Sequence, residues 1–195
     1  MTDNFDDFDD MDAAEDERQA RLADQRLDAW TAATPPVFAG EYPVHSAVAR
    51  WIEGLLKGAG TNLVLVGGTG TTKTWHCYRA IRLALEAGWR GVPRLLTAAE
   101  WQKAITPPLD AGLLDRLATA GALVLDDVGA TRLWDRDGER LLGIIDERWM
   151  YRRPTLVTTN VADLREMLGE RIASRLAADA VVVTFDGPDL RRGAA

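Results

Sequence analysis

The amino-acid sequence predicts an α/β fold of three layers, in which helices cover both faces of a central parallel sheet. Short apolar runs of strand-forming residues alternate along the chain with segments of helical periodicity. Such runs are typical of parallel strands that are buried on both faces. The first run, residues 62–66, is followed at once by a glycine- and threonine-rich segment and then by a helical pattern. A strand, a glycine-rich turn and a helix in this order are typical of α/β proteins that hold a phosphate group.

The other elements are predicted from the same periodicities. The Pro35-Pro36 pair ends a first short helix, and Gly88 ends the helix that follows the glycine-rich segment. Helices are predicted at residues 16–30, 44–56, 75–85, 98–105, 109–120 and 138–151, with two short ones after Asn160, and further strands at residues 93–97, 122–125, 155–159 and 181–185. The strand at 122–125 runs directly into Asp126-Asp127. Polar residues thus follow strands whose carboxyl ends share one edge of the sheet, where such folds bind ligands.

Length and charge divide the chain into two parts. The 195 residues are enough for one well-buried domain, predicted at residues 34–195, preceded at residues 1–33 by an acidic tail and a short helix. The net charge is -7, but the first twenty residues hold nine carboxylates against Arg18 alone, so residues 21–195 carry about +1. An acidic protein with a near-neutral body can still contact nucleic acid.

The tail at residues 1–16 is expected to be disordered when free, because its like charges repel one another. It is either a solvated tail or an acidic-aromatic segment that docks on a basic partner. No signal peptide and no apolar stretch of membrane-spanning length is present. The single cysteine, Cys77, excludes an internal disulfide. A cytoplasmic location without a membrane partner is therefore expected.

The glycine-rich segment is a phosphate-binding loop with one departure. It reads Gly67, Gly68, Thr69, Gly70, Thr71, Thr72, Lys73 and Thr74, and so follows the pattern G-x-x-x-x-G-K-[ST] except that Thr72 replaces a glycine. Backbone N–H groups of such a loop bind phosphate oxygens, and Lys73 and Thr74 are placed to hold the terminal phosphates and Mg²⁺. The predicted ligands are ATP and Mg²⁺.

Thr72 leaves three interpretations open. Glycine at this place allows a close approach to phosphate, whereas a β-branched residue adds bulk and restricts the backbone. The loop either tolerates threonine with weaker binding, or binds nucleotide and hydrolyses it slowly, or no longer binds nucleotide.

Three polar residues at strand ends complete the candidate site. Adjacent carboxylates after an apolar strand need a counter-charge, which Mg²⁺ beside the phosphates supplies. Asp126 is the candidate metal ligand, Asp127 the candidate for polarising an attacking water, and Asn160 the candidate for orienting that water. Each also has a structural interpretation as a cap or turn residue.

Histidine and tryptophan give no further catalytic signal. His45 and His76 stand in neither a metal-ligand nor a nucleophile–base pattern, and both are expected to be structural. The seven tryptophans are scattered among helical patterns, which favours packing over base stacking.

The motifs together resemble the DnaC/IstB-type AAA+ ATPases, which are bacterial and phage helicase loaders and transposition helpers. The resemblance extends over residues 34–192. Besides the loop, it rests on the segments at residues 123–129, 141–148, 153–160 and 169–176.

The resemblance implies an AAA+ core and assigns roles residue by residue. Asp126 and Asp127 match the second acidic motif and Asn160 the polar sensor, while Arg175, with Arg171 second, matches an arginine that reaches the nucleotide of a neighbouring subunit. The implied partners are a replicative helicase, single-stranded DNA and further copies of the chain. Arg191 or Arg192 is a weaker sensor candidate.

The sequence also departs from the family. The segment before Thr34 is short and acidic, unlike the larger N-terminal module of the loaders, and no room remains after Asn160 for a separate helical lid domain. A transposition helper that grips double-stranded DNA and recruits a transposase is the alternative within this fold. A nucleotide-binding switch with little hydrolysis, favoured by Thr72, is the alternative from another class, and a small-molecule kinase fits the motifs poorly.

Overall fold

The central sheet has five strands, all parallel, in the order β2-β3-β4-β1-β5. The structure of the protein is a computed structural model, which describes residues 6–129, 137–187 and 189. The strands are β1 Leu63–Gly67, β2 Pro93–Thr97, β3 Ala122–Val128, β4 Thr155–Thr159 and β5 Val181–Phe185. All five predicted strands are present, and β3 extends past its predicted end to include Asp126 and Asp127.

Seven α-helices and the short 3-10 helix Pro36–Phe38 are present within the described residues, and the last five α-helices lie between strands. The α-helices are α1 Asp6–Ala33, α2 Ser46–Leu56, α3 Lys73–Glu86, α4 Ala98–Ile105, α5 Ala111–Thr119, α6 Gly138–Met150 and α7 Arg165–Ala177. Helix α5 begins two residues later than predicted, because Asp110 caps it by accepting the Leu113 N–H at 2.8 Å. The two short helices predicted after Asn160 are α7, whose helical backbone is interrupted at Gly169.

The hydrophobic core has two halves, one on each face of the sheet. On one face α1, α2 and α3 pack against Leu63, Leu65 and Val124. On the other face α4 to α7 pack against Leu123 and Leu125. Alternate residues of β3 thus point into opposite halves, which is why this strand is almost wholly apolar. The predicted three-layer α/β class is confirmed.

Helix α1 is longer than predicted. The sequence predicted disorder up to residue 16 and a helix from there, whereas the helix begins at Asp6 and runs for 28 residues. Two features make this possible: no proline or glycine lies in the segment, and carboxylates in the first turns of a helix interact favourably with its dipole. Trp30, near its end, is buried and donates from its indole Nε1 to the Tyr78 carbonyl at 3.1 Å. The end of α1 therefore belongs to the core.

Most tryptophans serve packing, as expected. Trp30, Trp51, Trp75 and Trp101 are at most 5% exposed. Trp149 differs, since it is 48% exposed at the end of α6. Trp134 lies outside the described residues.

An arginine in the core was not predicted. Arg148 is 1% exposed, and its guanidinium donates to the carbonyls of Leu117, Ala120 and Pro154 at 2.6–2.9 Å and to the Thr155 hydroxyl at 3.1 Å. Burial lowers the pKa of Arg148 to about 9, which leaves it charged at neutral pH. One side chain of α6 therefore satisfies carbonyls at the end of α5 and before β4.

Candidate nucleotide-binding site

The candidate site residues meet at the carboxyl edge of the sheet. The phosphate loop leaves β1, Asp126 and Asp127 stand near the end of β3, and Asn160 follows β4. Because β4 pairs with both β1 and β3, these three strand ends are neighbours. The sheet order thus brings the loop and the three polar residues to one edge.

The loop is closed by the side chains of its own residues. The Lys73 ammonium donates to the carbonyls of Gly67 at 2.8 Å and Gly68 at 2.6 Å, and it is 9% exposed. The Thr71 hydroxyl also donates to the Gly68 carbonyl, at 2.8 Å. The lysine is therefore held above the start of the loop, on the side where phosphate oxygens bind in loops of this pattern.

Thr72 adopts a left-handed backbone conformation, which glycine enters without a steric cost. Its φ and ψ are 66° and 11°, in the region that β-branched residues rarely enter. Its hydroxyl donates to the Thr71 carbonyl at 2.5 Å. Helix α3 begins directly after this residue.

His76 supports Thr72 from the first turn of α3. The His76 Nδ1 lies 2.9 Å from the Thr72 carbonyl oxygen, and the His45 backbone N–H donates to His76 Nε2 at 3.2 Å. Since Nε2 accepts, Nδ1 carries the proton and donates to Thr72. Burial lowers the pKa of His76 and favours this neutral form. The ring is 3% exposed and lies 4.6 Å from the Phe185 ring, centroid to centroid.

Asp126 joins the loop to the neighbouring strands. Its Oδ1 accepts from the Thr74 hydroxyl at 2.8 Å and from the Thr158 hydroxyl at 2.7 Å. Thr158 in turn accepts the Asp127 backbone N–H at 2.7 Å. The β3–β4 register shifts between Leu125 and Val128, and this irregularity turns Asp127 outward with φ 59°. Asp126 therefore faces the loop while Asp127 is exposed.

The paired oxygens of Thr74 and Asp126 fit Mg²⁺. Mg²⁺ prefers hard oxygen ligands and usually takes only one or two from the protein, with water and phosphate supplying the rest. Among the described residues, no group of three or more His, Cys, Asp or Glu side chains is placed to hold a metal. A Mg²⁺ ion held here would take its remaining ligands from water and phosphate.

Asn160 lies at the same edge, beside the turn that follows β3. A side-chain carbon added to Gly129 would lie 3.3 Å from Asn160 Oδ1, so the amide is close to that turn. Asn160 is exposed, as is Asp127. Both residues therefore lie at the carboxyl edge of the sheet and are accessible to solvent.

Comparison with known proteins identifies the fold. No protein-family model and no curated protein matches the sequence. Among solved structures, that of the DnaC helicase loader matches with a TM-score of 0.61 and 23% identity, over 76% of this chain and 96% of DnaC. DnaI matches with a TM-score of 0.65 and 19% identity, over 80% of this chain and 94% of DnaI. AMPPCP-bound DnaA from Aquifex aeolicus matches with a TM-score of 0.56 and 17% identity, over 74% of this chain and 48% of DnaA. The chain has the AAA+ P-loop fold.

The predicted trans arginine lies at the opposite edge of the AAA+ sheet. Asn62, the residue before β1, donates from its amide to the carbonyls of Arg175 and Leu176, both at 3.1 Å. Strand β1 spans five residues, or about 17 Å, between this edge and the loop. The Arg175 side chain therefore does not join the loop, Asp126 and Asn160 of its own chain.

Arg175 has partners on α6. Its Nε donates to Asp146 Oδ1 at 2.8 Å, and its guanidinium lies 4.6 Å from the centroid of the Trp149 ring. Arg175 thus forms an ion pair on the surface of its own chain. Arg171 is exposed on the same helix, and Arg191 and Arg192 lie outside the described residues.

A cavity also lies at the amino edge. It has a volume of about 530 Å³ and is lined by residues that include Gly60, Asn62, Arg148, Trp149 and Arg152. It contains none of the phosphate-binding residues, so the chemistry of the loop, and not the size of this cavity, defines the candidate site.

Asp189, which follows β5, lies against the loop. A side-chain carbon on Gly70, whose φ is 77°, would collide with the carboxylate of Asp189. A negatively charged side chain therefore lies next to the segment that is predicted to bind phosphate.

Sequence reasoning missed three residues of the site. Thr158, His76 and Asp189 each contact a predicted site residue, but they are distant from it along the chain or were assigned to packing. The only available signal was His76, since a histidine in the first turn of the helix after a phosphate loop is placed to reach the loop carbonyl four residues earlier.

None of the described helices is long and apolar enough to cross a membrane.

Proposed function

We propose that this chain is an ATP-binding AAA+ protein of DNA replication, a helicase loader that binds single-stranded DNA and a replicative helicase. The observation that carries the nucleotide site is the 2.8 Å hydrogen bond from the Thr74 hydroxyl to Asp126. It joins the end of the phosphate loop to the acidic strand, as a site for a metal-bound triphosphate requires. The loader role is supported by the similarity of the fold to DnaC and DnaI over at least 94% of their chains.

The residues divide the work of phosphate transfer to water. Backbone N–H groups of the loop bind the phosphates, and Lys73 exchanges its two carbonyl partners for phosphate oxygens. Thr74 and Asp126 hold Mg²⁺, which neutralises charge on the terminal phosphates when bound. Asp127 polarises the attacking water and Asn160 orients it, since both are exposed at the sheet edge that carries the loop. Hydrolysis then yields ADP and phosphate.

Arg175 completes the site of a neighbouring copy. Because Arg175 lies at the amino edge, away from its own loop, any role of Arg175 in hydrolysis has to be exercised on another chain. A trans-acting arginine neutralises charge on the transferred phosphate and makes hydrolysis depend on assembly. The ion pair with Asp146 holds the guanidinium in place before the neighbour arrives.

Nucleotide binding and turnover of the native protein test the proposal. ATP affinity and hydrolysis are measured with and without a single-stranded oligonucleotide, beside the Lys73→Ala variant. We expect binding that Lys73→Ala abolishes and turnover that DNA stimulates. Single-stranded DNA is then compared with a duplex of equal length, and co-purification with the replicative helicase of the same genome is assayed. A preference for duplex, with no helicase binding, favours the transposition helper instead.

A nucleotide-dependent switch is the second candidate, and the left-handed Thr72 favours it. A threonine in this conformation places a Cβ and a methyl group beside the phosphates, where glycine has none. The Thr72→Gly variant separates the two functions. Binding without turnover in the native protein, with turnover restored by glycine, identifies a switch; turnover in both identifies an ATPase.

A further inference from the structure

The phosphate loop is held together around Thr72 by hydrogen bonds to both flanking peptide groups. The Thr71 carbonyl, in the peptide before Thr72, accepts from the Thr72 hydroxyl at 2.5 Å. The Thr72 carbonyl, in the peptide after it, accepts from His76 Nδ1 at 2.9 Å, as well as from the His76 backbone N–H at 2.9 Å. The orientations of these two peptide groups define the φ and ψ of Thr72.

The imidazole of His76 is itself held by a hydrogen bond to Nε2 and by contacts with two aromatic rings. The His45 N–H holds Nε2 and so fixes the tautomer and the ring plane. The rings of Trp75 and Phe185 lie 4.8 Å and 4.6 Å from the imidazole, centroid to centroid. A donor that cannot rotate away keeps its acceptor in place, so the Thr72 carbonyl is held by a rigid partner.

We propose that His76 is a positioning residue for the phosphate loop, whose imidazole keeps Thr72 in the left-handed conformation that the loop needs to bind a nucleotide phosphate. A β-branched residue leaves this conformation when nothing opposes it, because its Cβ is crowded there. Glycine needs no such support, since it enters the same region without a steric cost. The histidine thus compensates for the threonine. The inference rests on the proposed nucleotide binding and adds a determinant outside the loop motif.

A double-mutant cycle on ATP affinity tests the proposal. His76→Leu removes both ring hydrogen bonds but keeps an apolar side chain, and it is made in the native and in the Thr72→Gly background. We expect about tenfold weaker binding of ATP in the native background and less than about threefold in the Thr72→Gly background, because left-handed threonine carries a cost of this size and glycine does not. His76→Asn, which retains a donor near Nδ1, should recover most of the affinity.

Trp30→Phe serves as the matched control. It also removes a hydrogen bond from a buried ring to a backbone carbonyl, but that bond, of 3.1 Å, goes to Tyr78 and not to the loop. Its effect on affinity should be the same in both backgrounds. Equal losses for His76→Leu in both backgrounds would overturn the proposal and leave His76 a packing residue. Cooperative thermal unfolding of each variant establishes that it is folded.

Crystal structures of the variants give a readout that does not depend on nucleotide. In His76→Leu, the φ of Thr72 should leave the left-handed region, whereas the double variant with Thr72→Gly should retain it. A Thr72 φ that stays near its native value in His76→Leu refutes the positioning role. Failure of every variant to bind ATP would refute the proposed function instead, while the φ of Thr72 still decides the role of His76.

Discussion

Arg175 is bound to Asp146 of its own chain by a 2.8 Å hydrogen bond, and both side chains remain about 30% exposed. The pair lies at the amino edge of the sheet, beyond the reach of the loop at the other edge. An exposed ion pair contributes little to stability, about 0–1 kcal/mol. The arginine can therefore be removed at small cost to the fold, which makes its role in hydrolysis accessible to experiment.

Mixing two inactive variants should restore hydrolysis if Arg175 acts in trans. Arg175→Ala should bind ATP nearly as the native chain does but hydrolyse it about 10³-fold more slowly. Lys73→Ala supplies an intact Arg175 and no nucleotide site. The measurement is phosphate release from each variant and from their mixture.

Two arginines of the same helix serve as controls for this mixing experiment. Arg165→Ala changes an exposed arginine that has no assigned role and should leave turnover unchanged. If Arg171→Ala, and not Arg175→Ala, loses turnover, the assignment passes to Arg171. A mixture no more active than its components would argue against a shared site.

Asp126→Asn should weaken ATP binding only when Mg²⁺ is present. The carboxylate is the charged member of the Thr74–Asp126 pair, and the amide keeps its size while losing the charge that attracts the cation. We expect at least about tenfold weaker affinity in Mg²⁺, corresponding to about 1.4 kcal/mol, and little change in EDTA. Isothermal titration in both buffers measures this. Asp127→Asn, adjacent but exposed, should retain affinity and lose turnover; equal losses of affinity for both would contradict the division of roles.

Asp189→Asn should raise nucleotide affinity. The carboxylate rests on Gly70, so its negative charge opposes phosphates bound to the loop. Removing one like charge near a partly exposed site is worth up to about 1 kcal/mol, or about three- to fivefold in affinity. Asp186→Asn, an exposed aspartate three residues earlier, is the matched control. The ATP affinities of the two variants are compared by titration at low and high salt. An increase of equal size in both variants would show that the effect comes from the net charge of the protein and not from the position of Asp189.

Arg148→Met should destabilise the fold. The substitution leaves the buried carbonyls of Leu117, Ala120 and Pro154 without their donor. The expected loss is about 3 kcal/mol in the free energy of unfolding, or roughly 10 °C in the melting temperature. Arg152→Met removes an exposed guanidinium that has no hydrogen bond or ion pair among the described residues and should change stability by less than about 0.5 kcal/mol. Calorimetry of both variants measures the two changes in melting temperature and in the free energy of unfolding.

The order of elements could be predicted because strands and helices bury their side chains with different periods. All five strands were found this way, and the positions of Asp126 and Asn160 at one edge followed from the parallel sheet. The start of α1 could not be predicted, since charge repulsion and the helix dipole oppose each other in an acidic segment.

The conformation of Thr72 could not be predicted from the loop alone. Local preference places a threonine outside the left-handed region, and the contacts that hold it there involve His76 and, through it, His45. The hydrogen bond from Thr158 to Asp126 likewise depends on the pairing of strands 32 residues apart. Both interactions arise from tertiary structure, which periodicity does not report.

Asn62 links helix α7 to the strand that carries the phosphate loop. Its amide binds the carbonyls of Arg175 and Leu176, while its Oδ1 accepts the Thr155 N–H at 2.9 Å. The end of α7 and the beginnings of β1 and β4 are thus fastened at one buried point. Strand β1 leads from that point straight to Gly67. If a second copy binds at α7, as the proposed function expects, it would press on the base of the strand that carries the loop. A contact between subunits at α7 is therefore expected to change the conformation of the loop.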